Sequence, residues 1–516
     1  MGEYLANNLI IINKASKWAT KYLNHRITKS NISYLLQYGR IKKYKKNNLT
    51  LIDKKELKKY YRNQKKALEQ KWKKGYDKDI NWKLSFKEYK ERERTKHVHR
   101  LHPYKGKFIP QLVEYFIDDH IDEFKQEIYF NKGDIILDPF CGSGTALIQA
   151  NELGLHAVGI DISAFNKMIT NAKLVKYDIN KLEENIKDIS KKFSNLIRSR
   201  DNLKFGNELK EKLNEFNKKY FPSPEFKRSL RRTKIDEKKY GREKEKKAIA
   251  IFENLQQKYK IELKQEKNEL FIDKWYLKPL RDEIDFLFNE IKKIEDKRIK
   301  KILAVILSRT MRSCRATTHS NLGTLRHIQK TPYYCKKHKK ICKPLFTINK
   351  WWRRYTKDTI KRIKQFNQLR TNTFQLCVTG DSRTIDLEQQ ISKSSWKFGK
   401  MIKNKKIKGI FSSPPYVGLI NYHEQHAYAY DLFGFERRDK KEIGPLFKGK
   451  GKKARESYVK GVSEVLINCK KYLQDDFEIF LVANDKFNLY PQIAKKSALQ
   501  VVDTFKRPVL NRVEKK

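Results

Sequence analysis

Residues 135–148 read Ile-Ile-Leu-Asp-Pro-Phe-Cys-Gly-Ser-Gly-Thr-Ala-Leu-Ile, and this stretch decides the fold. Three apolar residues run into Asp138-Pro139, a turn holds Gly142 and Gly144, and an apolar helical pattern follows. That order spells a buried strand, a tight turn and a helix start. The glycines let the backbone approach a ligand closely, and the helix start offers free N–H groups beside it. A plain strand–helix corner carries the same Gly-x-Gly, so the turn alone decides little. A second strand follows, however: Val158-Gly159-Ile160-Asp161 ends on an acid, placed where a nucleoside ribose would be held.

The chain has 516 residues, enough for several domains and a full-sized core. Lys+Arg 116 against Asp+Glu 60 gives a formal charge of +56, far more than solubility requires. A polyanion is the expected partner. Compositional drift toward Lys, Asn and Ile explains part of the excess, but arginines also cluster, at Arg228–Arg232 and Arg353-Arg354. No long apolar run and no secretory start occur, so a soluble, cytoplasmic protein without membrane association is expected. Six cysteines in so long a chain do not make a disulfide framework.

A second stretch carries chemistry. Residues 408–416 read Lys-Gly-Ile-Phe-Ser-Ser-Pro-Pro-Tyr, an apolar strand ending in Ser413-Pro414-Pro415-Tyr416. The prolines fix the backbone and leave the Pro414 carbonyl free, since Pro415 has no N–H. Tyr416 then offers a planar face at the sheet edge. Such a loop suits an extrahelical base, held against Tyr416 while Ser413 and the Pro414 carbonyl accept hydrogen bonds from its amino group. Those bonds draw the amino lone pair out of ring conjugation and make the nitrogen nucleophilic toward a sulfonium methyl. A plain Pro-Pro turn is the bland alternative, and it weakens once the glycine turn is set beside it.

Together these motifs resemble the S-adenosylmethionine-dependent amino-DNA methyltransferases, which make N4-methylcytosine or N6-methyladenine, often within restriction–modification systems. Asp-Pro-Phe-Cys-Gly-Ser-Gly looks like the family's first motif, Gly159–Ser163 like its second and Ser412–Tyr416 like its catalytic motif. His102–Pro110 resembles the methionine-binding motif upstream of the first, and Gly380-Asp381-Ser382 the acidic turn near the cofactor adenine. The resemblance spans residues 100–175 and 371–512. It implies an α/β, Rossmann-like class I methyltransferase sheet with S-adenosylmethionine as cofactor and double-stranded DNA as substrate. A cognate restriction endonuclease is the implied partner. Asp138, Pro139, Phe140, Gly142 and Gly144 would shape the methionine and ribose pocket, with Asp161 on the ribose hydroxyls and Ile162 beside it. Asp381 and Ser382 would lie near the adenine, while His102, Tyr104 and Phe108 close over the methionine end. Ser413, Pro414, Pro415 and Tyr416 would handle the base. The Ser-Pro-Pro-Tyr form is more typical of N4-cytosine members, so N4 of cytosine is the expected target and N6 of adenine the alternative. Cys141 reads as pocket packing, because the catalytic loop carries no cysteine nucleophile.

The remaining segments are organised around these motifs. Residues 1–61 read as helix Lys14–Tyr22, a capped turn at 28–30, helix Asn31–Tyr38, a basic hairpin over 41–52 and helix Lys54–Tyr61. This resembles a winged helix-turn-helix, with Ser30, Asn31, Ser33 and Tyr34 on the recognition helix; a small helical cap with a basic surface is the other reading. Residues 62–99 read as a charged helical linker. Residues 100–175 and 371–516 form the two parts of the methyltransferase domain. Residues 176–370 form a basic helical insertion, with Ile299–Met311 as its best apolar helix. A role in grasping DNA and recognising the target, through residues such as Arg353 and Arg354, competes there with a solvated charged face.

Within the insertion, Cys335, His338 and Cys342 have the spacing for three corners of a tetrahedral zinc site. Cys314 is the leading fourth ligand and His319 the other candidate; free thiols on a basic hairpin are the alternative. After the catalytic loop, residues 418–435 are dense in aromatics and histidines. Asn421, Tyr422, His423 and Glu424 are candidates for the base pocket, and core packing explains Tyr428, Tyr430 and Phe433 equally well. Helix Ser457–Leu473 and a buried strand Ile479–Ala483 follow, with little chain left for a final hairpin strand. Two rival functions stand beside this reading. An RNA base methyltransferase would share the glycine motif but usually has Asp before Pro-Pro-Tyr. A non-enzymatic DNA-binding regulator would explain the charge but not the cofactor and base motifs.

Overall fold

A computed structural model describes residues 8–23, 27–37, 39–46, 49–73, 81, 83–86, 88–89, 93, 95–232, 235–265, 269–321 and 325–508. Its strands are β1 (Leu9–Ile11), β2 (Tyr44–Lys46), β3 (Leu49–Asp53), β4 (Ile135–Asp138), β5 (His156–Asp161), β6 (Tyr333–Cys335), β7 (Lys340–Cys342), β8 (Gln375–Thr379), β9 (Ile407–Ser412) and β10 (Leu473–Leu481). The central sheet has the order β10-β9-β4-β5-β8 and is parallel throughout. The strand order reverses at β4: β5 lies on one side and β9 on the other. Ligands of open α/β sheets bind outside the carboxyl ends of the strands at such a switch point. Here those ends are Asp138 and Ser412, which open into the two motifs singled out above.

Strand alternation divides the core into two layers. Ile135 and Leu137 point to one face, with Val158, Ile160, Val378 and Ile410. Ile136 points to the other, with Ala157, Cys377 and Phe411. Successive side chains on a strand must face opposite ways, and both faces are covered, so these strands read as continuous apolar runs. Helices Leu387–Ser394, Trp396–Lys405 and Lys452–Lys470 supply the first layer. The second is shared with the long helical segment between β5 and β8.

That segment leaves β5 and returns to its neighbour β8, which pair in register from Ala157↔Gln375 to Asp161↔Thr379. Its central helix, Lys297–Cys314, contains the expected Ile299–Met311, and every residue from Ile302 to Met311 is buried. The same helix buries Arg309, which pairs with Asp358 at 2.8 Å and lies over the Tyr355 ring. The insertion core therefore continues the core of the sheet.

At the N-terminus, β1-β3-β2 form an antiparallel sheet beside helices Ile12–Tyr22, Lys29–Gln37 and Lys54–Lys73, with a core of their own. The third helix runs well beyond the expected Tyr61, and β1 was not foreseen. Tyr38 and much of the 62–99 linker lie outside the described residues. At the other end, β10 begins before the expected Ile479. It forms a sheet edge, not a strand buried on both sides, and the described chain beyond it has no further strand. The last described residues instead turn back, with Phe505 packed on Phe116 and the Asn81 N–H donating to the Lys506 carbonyl at 2.7 Å. Among the described residues, no helix is long and apolar enough to cross a membrane.

Candidate active site

The glycine turn is built by steric exclusion. Gly142 has φ +51° and Gly144 φ +76°, in the left-handed region. A Cβ on Gly144 would come within 2.5 Å of the Thr170 methyl, and one on Gly142 within 3.0 Å of the Tyr104 ring. The turn is fastened to the second strand by Asp161, whose carboxylate accepts from the Gly142 N–H (2.7 Å), the Ser163 N–H (2.8 Å) and the Asn166 amide (3.1 Å). Burial pushes the Asp161 carboxyl up to about 6, against the pull of those three donors.

Across the switch point the two motifs touch. The Ser412 hydroxyl donates to Asp138 at 2.5 Å, and the Phe140 N–H donates to the same oxygen at 3.2 Å. Asp138 is fully buried, and burial raises its carboxyl to about 7. Its place is beneath the site, where it ties β4 to β9.

An open cleft lies above these contacts. Its walls include Tyr104, Phe108, Pro139, Phe140, Gly142, Asp161, Ile162, Asp381 and Ser382, together with Ser413 and Pro415 from the loop after β9. Gly144, Pro414 and Tyr416 are not among the lining residues; Gly144 forms the helix start behind the turn, and Tyr416 sits by Tyr422, Tyr458 and Tyr490. Asp381 is clamped by Arg383 through bonds of 2.8 and 2.6 Å, and Ser382 donates to the Pro139 carbonyl at 2.7 Å. The acidic turn thus locks onto the first motif.

Not every expected contact is found. His102 does not close over the cleft: it is fully buried behind it, with Nε2 3.0 Å from the Ser308 hydroxyl and its ring edge-on to Phe165. The turn after His102 carries Tyr104 to the wall in its place. Cys141 is buried with its sulfur against Gly159, as packing requires. Of the four residues proposed after the catalytic loop, Tyr422 and His423 reach the cleft. Asn421 instead accepts from the Phe447 N–H at 3.1 Å, and Glu424 pairs with Arg437 at the surface.

Sequence reasoning missed Glu442. It is buried, accepts from the backbone of Tyr422 (3.2 Å) and His423 (2.8 Å), and bonds the His423 ring while lining the cleft. It lies in a charged run without a motif, so no local signal marked it. Asn166 and Lys107 also line the wall, beside the second motif and inside the His102–Pro110 stretch, and were not singled out there.

The N-terminal candidates divide. Tyr34 is half exposed and Ser30 exposed, but the Asn31 side-chain oxygen accepts from both the Thr28 N–H (2.9 Å) and hydroxyl (2.7 Å). Thr28 and Asn31 form a capping pair that uses the Asn31 side-chain oxygen, while Asn31 itself stays exposed. Arg353 reaches Ser194 at 3.1 Å and Arg354 lies beside Trp351, both on an exposed helix face.

Comparison with known proteins agrees with this geometry. The DNA methylase family profile matches residues 2–172. Type II methyltransferase M.MjaII of Methanocaldococcus jannaschii is 46% identical over 515 residues, 99% of this chain and 95% of the relative. The chain belongs to the amino-DNA methyltransferases of restriction–modification type. Shorter matches link this methyltransferase to M.MvaI of Kocuria varians (35% over 111 residues, 22% of each chain) and M.BsoBI of Geobacillus stearothermophilus (34% over 94 residues, 18% and 17%). No solved structure matches it.

S-adenosylmethionine is the cofactor of this family, and the cleft fits it chemically. The glycine turn leaves room beside a helix start. Among the described residues, the Ser143 hydroxyl and the Asn166 side-chain oxygen are buried without partners on the same wall. A polar ligand with hydroxyl and amino groups would satisfy both.

Proposed function

We propose that the protein transfers a methyl group to the exocyclic amino nitrogen of a base turned out of double-stranded DNA, and that the base is cytosine, methylated at N4. The observation that carries this reading is that Ser413 and Pro415 open into the same cleft as the glycine turn. A donor seated on Gly142 and Asp161 would face a base seated on the Ser-Pro-Pro-Tyr loop. The bound cofactor supplies an electrophilic methyl on a sulfonium. Asp161 holds the ribose, Asp381 and Ser382 flank the adenine, and Tyr104 and Phe108 bound the methionine end. Ser413 and the Pro414 carbonyl accept hydrogen bonds from the target amino group, leaving its lone pair free to attack; one of the two amino protons is then released along these bonds to solvent as the new N–C bond forms, and Tyr416 stacks on the base. Alignment of donor and base in the cleft carries most of the acceleration, because the sulfonium is already reactive. The serine in first place favours cytosine over adenine.

The N-terminal unit of three helices and a short antiparallel sheet is read as a winged helix that positions DNA, with Ser30, Asn31, Ser33 and Tyr34 facing it. Arg353, Arg354 and the basic insertion then hold the backbone. A cognate restriction endonuclease is the implied partner.

Mass spectrometry of nucleosides from DNA and RNA incubated with labelled cofactor tests this directly. Labelled N4-methylcytosine in DNA is expected. N6-methyladenine would replace the base assignment, and label confined to RNA would overturn the substrate. Ser413→Ala and Tyr416→Ala should each abolish most transfer while cofactor affinity stays within about twofold. Full activity in both would remove the loop from the site.

A further inference from the structure

We propose that His319, Cys335, His338 and Cys342 form a closed structural site for a zinc-class divalent cation, outside the active-site cleft. The β6–β7 hairpin supplies three of the ligands, and the loop after helix Lys297–Cys314 supplies the fourth. One ligand atom from each of the four lies within 4.8 Å of all the others. Cys335 Sγ is 3.7 Å from His319 Nδ1 and 3.6 Å from His338 Nδ1, and His338 Nδ1 is 3.4 Å from Cys342 Sγ. Bond lengths of about 2.3 Å to sulfur and 2.0–2.1 Å to nitrogen give a tetrahedron whose S–N edges are about 3.6 Å. The three distances match that edge. Two thiolates with two imidazoles in this geometry favour zinc among common metals. Four protein ligands leave no open position, so the role is structural.

The surroundings are built to hold such a centre. The backbone N–H groups of Lys337 and His338 turn toward the Cys335 sulfur. Asn217 brackets Ile341 with bonds of 2.9 and 3.0 Å, and Lys339 pairs with Glu237, pinning the hairpin to helices Asp201–Tyr220 and Glu237–Lys258. Tyr333 accepts from the His319 N–H at 3.1 Å and so fixes the loop that carries the last ligand. The Tyr333 hydroxyl also sits 2.7 Å from His319 Nδ1, a contact that metal binding would replace. Cys314, the leading fourth candidate from the sequence, is 1% exposed in the apolar core and does not belong to this group.

Metal analysis of the purified full-length protein, independent of any methyl transfer, tests the site. One zinc per chain is expected, with tetrahedral d–d bands and sulfur-to-cobalt charge transfer after replacement by Co²⁺. His319→Ala and Cys335→Ser should each lose most of the metal, whereas Cys314→Ser should keep it. Cofactor titration reports whether each variant is folded. Should Cys335→Ser fail to fold, chelation of the wild type followed by re-titration with Zn²⁺ decides in its place: stoichiometric uptake supports the site, and none overturns it. Metal no higher in wild type than in Cys335→Ser, or metal lost only in Cys314→Ser, would also overturn it.

Discussion

Asp161→Asn separates what this carboxylate does for the protein from what it does for the cofactor. In the wild type, three donors already engage the carboxylate: the Gly142 and Ser163 N–H groups and the Asn166 amide. An ionised carboxylate has about four acceptor sites, which leaves one direction for a ribose hydroxyl. Asparagine offers a single oxygen, and its NH₂ must then face the N–H of either Gly142 or Ser163. Losing a hydrogen bond to a charged acceptor costs about 1.5–3 kcal/mol, and at about 1.4 kcal/mol per decade this is roughly 10–150-fold in cofactor affinity. The pH profile isolates the ribose contribution. With its carboxyl raised to about 6, the wild type is ionised at pH 8 and about one-tenth ionised at pH 5. Its affinity should therefore fall about tenfold between those values, while Asp161→Asn stays level and the gap narrows accordingly. Calorimetric titration of S-adenosylmethionine at both pH values measures this. Parallel profiles, or wild-type affinity in the variant at pH 8, would show that Asp161 only braces the turn.

Other consequences follow from the same contacts. Gly144→Ala must adopt a left-handed backbone, at about 1–2 kcal/mol, and drive a Cβ against buried Thr170, at about 1–3 kcal/mol more. A fall of several degrees in Tm is expected, with part of it recovered in Gly144→Ala/Thr170→Ala; no recovery would mean the clash is relieved elsewhere. Asp138 is raised to about 7 by burial, so the folded protein holds a proton that the unfolded chain releases near its ordinary value. Its contribution to stability is present below that ordinary value and is lost as pH rises through about 7. Asp138→Asn mimics the protonated form and should gain in Tm on the wild type between pH 5 and pH 8. A Tm difference that does not change with pH would refute the assignment.

The parts of the fold legible in the sequence were those with short-range signals. The strand–turn–helix at 135–148 and the strand before Pro414 carry their pattern within a dozen residues or so, and both stand where periodicity put them. What the sequence did not disclose depends on segments that meet only after folding. His102 and Tyr104 share one turn, but only the packing of Phe165 and Ser308 decides that the histidine goes inward and the tyrosine outward. Glu442 joins the cleft because a long excursion after helix Ala427–Phe433 brings it back to His423. His319 and Cys314 were both available to the hairpin by spacing. The apolar face of helix Lys297–Cys314 claims the cysteine, and the loop beyond it delivers the histidine.

The doublet Ser412-Ser413 shows how far strand geometry can carry a functional reading. Ser412 is the last residue of β9; it is fully buried and bonded to Asp138 at the end of the neighbouring strand. Ser413, one residue on, has left the ladder and lies on the cleft wall. Consecutive side chains leaving a strand point in opposite directions, so one serine closes the switch point while the other faces the cleft. Two identical residues therefore carry different chemistry. Loss of Ser412 would act on Asp138 and the joint between β4 and β9, and loss of Ser413 on the cleft wall.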